Sequence, residues 1–155
     1  MSIEERKELA ESLFREGYNC CQAVVLAFED VAAVKGLSKA QLESLASGFG
    51  GGMGRLREVC GCVSAMTMLS GIISPAAPSD HASRTANYAL VQKLADEFRA
   101  QNGSIVCREL LGIRAAAKES PEPSARTEHY YKARPCAALV GCAAGIIAAY
   151  LENPA

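Results

Sequence analysis

The chain has 155 residues, half of them apolar and 21% charged, with a formal net charge of −1. This length suits one domain with a real hydrophobic core, and the composition excludes a wholly disordered chain. No basic patch accompanies the near-balanced charge, so nucleic acid is excluded as a partner class. The first residues, Met1 to Glu8, are acidic and helical in character and lack the apolar core of a secretory signal. The longest apolar run, Ala137 to Leu151, is short for a membrane span and rich in Ala and Gly. The expected address is therefore cytoplasmic, with no membrane span.

Ile3 to Arg15 reads as a first helix, with Leu9, Ala10, Leu13 and Phe14 on one face. Glu16 to Asn19 ends it, and Asn19 caps a nearly all-apolar helix from Cys20 to Val34. Lys35-Gly36 stops that helix. Ser38 and Gln41 form a capping-box pattern for a third helix, with Leu42, Leu45, Ala46 and Phe49 at helical spacing. A glycine-rich run, Gly48 to Gly54, breaks it. Val59 to Ile73 reads as a second buried apolar helix. Ser79-Asp80 caps a long amphipathic helix through Gln101, striped by Val91, Leu94, Ala95 and Phe98. A short helix covers Ile105 to Leu111. The stretch 114–134, with Ser120-Pro121-Glu122-Pro123, reads as an exposed loop within one domain rather than a boundary. Pro135 starts the last apolar helix. No strand alternation and no internal repeat is evident. The expectation for 1–155 is a single all-α domain, a bundle of about six helices, three of them apolar and buried.

Seven cysteines stand in this chain, and most fall where a helix should begin. Cys20 and Cys21 follow the cap Asn19. Cys60 and Cys62 follow the glycine run, Cys107 follows Gly103-Ser104, and Cys136 follows Pro135. A helix N-terminus offers unpaired N–H groups and a partial positive charge, which favour thiolate over thiol. Arg55 and Arg57 are expected to depress the pKa of Cys60 or Cys62 further. An odd count excludes a fully paired disulfide framework within one chain. Cys142 lies mid-helix and reads as core filling.

Two cysteines two apart in a regular helix point roughly 200° apart. Cys60 and Cys62 therefore reach one site together only if Cys60 precedes its helix, and only one of Cys20 and Cys21 should face a shared site. The spacings match no zinc finger and no thioredoxin-like C-x-x-C. The glycine run is no phosphate loop, since Met53 and Arg55 stand where G-x-G-x-x-G needs glycine and no Gly-Lys-Ser/Thr follows. Its glycines instead permit close helix approach. His81 and His129 read as surface residues, so a Cys–His catalytic pair is not expected.

The segments Gly17 to Val24, Gly48 to Arg55, Cys60-Gly61-Cys62, Gly103 to Leu111, and Cys136 with Leu139-Val140 resemble a redox-active protein family named for a C…CGAxxG…C…C pattern. The resemblance spans about Glu16 to Leu151 and maps the family cysteines onto Cys20, Cys60, Cys107 and Cys136. Cys62 stands where the pattern has alanine, and Ala65 where it has glycine. The resemblance implies redox work, and a related domain occurs with cytochromes that carry an iron–sulfur centre. The expected catalytic thiols are Cys20, Cys60, Cys62, Cys107 and Cys136. The expected metal ligands are Cys20, Cys60, Cys107 and Cys136, and the candidate cofactors are an iron–sulfur cluster or zinc. The candidate partners are a redox protein and a second copy of the chain. Two readings compete: thiol–disulfide or iron–sulfur electron transfer, and a structural zinc site or interaction module with structural cysteines.

Overall fold

The computed structural model describes residues 1–74, 79–113 and 119–154. Nine helices occur among them: α1 Ile3–Arg15, α2 Cys20–Leu26, α3 Glu29–Ala33, α4 Lys39–Ala46, α5 Gly61–Ile73, α6 His81–Asn102, α7 Cys107–Leu111, α8 Glu128–Ala133 and α9 Cys136–Glu152. Among the described residues there is no strand, only one isolated antiparallel bridge between Val59 and Val106. The chain is all-α. No helix among the described residues is long and apolar enough to cross a membrane.

Local signals set most boundaries. Ser2, Asn19 and Ser38 each accept from a backbone N–H three residues on, and the capping box closes at each. Asp80 caps α6 through the Ser83 amide. The expected helix from Cys20 to Val34 is broken at Phe28 (φ −121°, ψ 28°). Here Arg6, buried on α1, donates to the Ala27 carbonyl (2.6 Å) and grips both Asp30 carboxylate oxygens (2.6 and 2.7 Å). A side chain from another helix has taken over the carbonyl at the break. The expected third helix stops at Ala46, followed by a 3-10 turn Ser47–Phe49, and Leu45 faces solvent rather than the core. The stretch expected as one loop contains α8, capped by Thr127. Its first part, 114–118, lies outside the described residues.

The core lies between α1, α2, α5, α6 and α9, and α9 packs most extensively along α1. Gly141 and Gly145 make that approach close: a Cβ at Gly141 would collide with Glu11, and one at Gly145 would crowd Lys7 at 3.1 Å. The three apolar segments supply most of the core, but none is buried all round. Thr67 and Gly71 of α5 and Ala138 and Ala149 of α9 are exposed, and α3 buries only Ala32. Buried Ser70 joins α5 to α6 by accepting from Asn87 Nδ2 (3.0 Å).

Candidate functional site: a five-thiol cavity

Four helix starts meet at one end of the core. Cys20, Cys107 and Cys136 are the first residues of α2, α7 and α9. Cys60 caps α5 in an extended conformation (φ −53°, ψ 132°), and Cys62 lies one turn-step inside that helix. All five line the same small cavity, with Arg57, Arg134, Phe14, Tyr130 and Leu139 also in its wall. Cys20 and Cys136 are half-buried, while Cys60, Cys62 and Cys107 are buried.

Two devices bring the helix starts together. The first is the glycine run. Gly51, Gly52 and Gly54 adopt left-handed backbone, and so do Met53, Arg55 and Arg57, each a non-glycine at φ 58–69°. Such residues cost of order 1–3 kcal/mol each and cluster at functional sites. The glycines are contact points. A Cβ at Gly52 would lie 2.6 Å from Cys107 Cβ, one at Gly50 would lie 2.6 Å from Asn19 Cβ, and one at Gly61 would overlap the Cys20 sulfur. The second device is a short antiparallel pairing. Cys60 donates to the Ile105 carbonyl (2.8 Å), Cys107 to the Glu58 carbonyl (2.6 Å) and Arg108 to the Arg57 carbonyl (3.2 Å). It sets Cys60 beside Cys107.

The electrostatics favour a thiolate at Cys20. The Cys20 thiol is lowered to about 6, first because the Cys62 thiol hydrogen-bonds to its sulfur, then because backbone N–H groups of Gly51, Cys21 and Cys20 point at it. Burial opposes the shift. Cys62, as donor to Cys20 and Cys60 and wholly buried, is pushed up. Burial likewise raises Cys136 to about 12, helped by the charges of Cys20 and Cys60. Burial raises Cys107 too, although Arg57 Nη1, 3.8 Å from its sulfur, works the other way. Arg57 is in turn held by both oxygens of Glu119, one of them 3.0 Å from Nη2. Arg55 binds Glu119 Oε1 (3.2 Å), the Ser120 carbonyl (2.9 Å) and Ser124 Oγ (3.1 Å), so the arginine pair straps the 119–124 segment beside the site.

This corrects the expectation for Cys62, which is raised rather than lowered. Arg57 serves Cys107, Arg55 serves the strap, and the lowered thiol is Cys20. Pro135 is the cap of α9, and its first helical residue is Cys136. Ser104 is not the α7 cap; it accepts from the Val106 amide (3.0 Å) and pairs with Glu109. Cys21 points away from the cavity into the core against Met68 Sδ (3.8 Å), where burial pushes its thiol up. Cys142 also lies elsewhere, between Asn102 Nδ2 and Gln101 Oε1 at 3.3 Å each. His81 and His129 are exposed. Sequence reasoning missed Glu119, Arg134 and Tyr130; the only trace of the first was an acid downstream of two arginines.

Zinc and iron–sulfur centres take three or four converging ionised sulfurs. Among the described residues no group of three or more Cys, His, Asp or Glu side chains is placed to hold one metal ion. The five cysteines share one cavity, and Cys62, Cys107 and Cys136 are held towards the neutral form.

Residues 18–150 match the family described as "Putative redox-active protein (C_GCAxxG_C_C)", and the chain belongs to that family. The motif so written corrects the expected mapping: its Gly-Cys falls on Gly61-Cys62, with Val63 in the place of alanine and Met66 in that of glycine, so the second family cysteine is Cys62 rather than Cys60. No curated protein and no solved structure matches the chain.

Proposed function

We propose that this protein cycles between dithiol and disulfide at the five-thiol cavity, with Cys20 as the attacking thiolate. The observation that carries this is Cys20 itself: a half-buried sulfur, ionised at neutral pH, beside four other thiols. Thiolate attack on an oxidised sulfur is the elementary step of such chemistry, and its rate follows the thiolate fraction. Oxidation joins Cys20 to a neighbour: two electrons leave, one S–S bond forms, and the neighbour's proton goes to the acceptor. A dithiol redox partner returns the electrons. Its thiolate breaks the S–S bond through a mixed disulfide, and its second thiol then resolves that bond. Cys62, Cys107 and Cys136, held towards the neutral form, keep charge repulsion below that of a cavity full of thiolates. Such thiols work where the surroundings are reducing, so we assign the protein to the cytoplasm.

The experiment compares wild type with Cys20→Ser and Cys60→Ser, each purified anaerobically and assayed for metal, melting temperature and exchange with oxidised dithiothreitol. Cys20→Ser should lose at least tenfold in exchange rate while its melting temperature stays within a few degrees. If Cys20→Ser instead sheds a stoichiometric metal and unfolds, the cavity is a structural metal centre and the proposal fails.

A further inference from the structure

The reading above leaves the electron acceptor and the second thiol unnamed, and the cavity itself constrains both. Its volume is about 50 Å³ open to the centres of water-sized molecules. One water needs about 10–15 Å³ on that measure, so the space holds about three or four water-sized units. Phe14, Tyr130, Leu110, Leu111 and Leu139 wall it. A two-oxygen oxidant fits inside. Arg57 and Arg134 line the same cavity and bring cationic N–H donors to it.

Among the neighbours of Cys20 in the cavity, Cys62 is fully buried, fixed near the start of α5, and next to Gly61, on whose absent side chain the Cys20 sulfur rests. Two thiols in the wall of one small cavity, with one sulfur seated on the residue beside the other, need little backbone movement to form a bond.

We infer that the cavity reduces a small hydroperoxide, with Cys20 taking the oxygen and Cys62 resolving the product. The inference rests on the thiol–disulfide reading above. In the first step the Cys20 thiolate attacks one peroxide oxygen, the O–O bond breaks and hydroxide leaves. Cys20 becomes a sulfenic acid, oxidised by two electrons, and the peroxide is reduced by two. Arg57 and Arg134 supply positive charge near the leaving oxygen. In the second step Cys62 sulfur attacks the Cys20 sulfur, the S–O bond breaks, and the departing hydroxide takes the Cys62 proton as water. The product is a Cys20–Cys62 disulfide, which a dithiol partner reduces.

The test uses reduced, chelator-treated full-length protein and one equivalent of hydrogen peroxide, followed by alkylation and peptide mass spectrometry. A Cys20–Cys62 disulfide should dominate in wild type. Cys62→Ser should stall at the Cys20 sulfenic acid, trapped by dimedone at one per chain. Cys62→Ala serves the same purpose if the serine, polar at a buried position, impairs folding. Cumene hydroperoxide, whose aryl group exceeds the cavity, should react at least tenfold more slowly. Equal rates for the two peroxides overturn the inference. So does a Cys62→Ala protein that makes another Cys20 disulfide at the wild-type rate. A protein that forms a cavity disulfide with oxidised dithiothreitol but ignores peroxide sinks this inference alone; one inert to both sinks the thiol–disulfide reading as well.

Discussion

The Cys20 sulfur is the atom on which the proposed chemistry turns, because its surroundings favour charge where those of Cys62, Cys107 and Cys136 oppose it. The Cys62 thiol and three backbone N–H groups lower it to about 6 from the ordinary 9.0. Iodoacetamide should therefore label Cys20 in the native reduced protein with a pH midpoint near 6, while Cys136, raised to about 12, stays unreactive up to pH 9. Peptide-resolved mass spectrometry reads this directly, and a Cys20 midpoint above 8 would contradict it. The same shift is a stability statement. A depressed acid stabilises the fold fully above its unfolded pKa and loses that contribution as pH falls through its folded one. The urea midpoint of wild type should thus rise relative to Cys20→Ser between pH 6 and 9, the window set by its two pKa values. Above pH 9 the midpoints of both proteins should fall together, since Cys136 must stay neutral in the fold while it ionises in the unfolded chain.

At the scale of elements, helix starts do the work, and the starts were the most legible part of the sequence. Asn19, Ser38 and Asp80 cap where their positions indicate, and Cys20 and Cys136 open helices as their contexts suggest, while α7 starts at Cys107, two residues past the expected Ile105. Asn19 does two tasks. Its side chain accepts from the Gln22 amide (2.9 Å) and its Nδ2 donates to the Ser47 carbonyl (3.0 Å), tying α2 to the turn before the glycine run. Asn19→Ala should cost about 0.5–2 kcal/mol in chemical denaturation. It should also raise the Cys20 labelling midpoint, because the amides that hold the thiolate belong to the helix start it organises; an unchanged midpoint would mean that Cys62 alone sets it. What the sequence concealed were features made by distant segments. The break at Phe28 depends on Arg6, 22 positions earlier in the chain. The pairing of Glu58 and Cys60 with Ile105 and Cys107 leaves no alternation pattern, since it spans a single bridge. That Arg57 does not depress the Cys62 thiol has the same origin. Arg57 follows the carboxylate of Glu119, which lies 62 positions away, and no spacing rule announces that.

For the whole molecule, the order of the cysteines along the chain says little, and their meeting says most. Apolar helices α2, α5 and α9 pack through small residues, which leaves their N-termini side by side at one end of the core. Left-handed glycines then close the loop between α4 and α5 over that end. Cys21 and Cys142, the two thiols outside the cavity, serve as internal controls. The central claim is that the five cavity cysteines form one redox unit, and a redox titration tests it most directly. Chelator-treated protein is equilibrated across a series of dithiothreitol potentials, quenched with acid, unfolded, alkylated and mapped by mass. The account predicts one two-electron transition in which two of the seven thiols disappear, both from the set Cys20, Cys60, Cys62, Cys107 and Cys136, while Cys21 and Cys142 remain alkylated throughout. A disulfide that recruits Cys21 or Cys142, or seven free thiols at every potential, would contradict it.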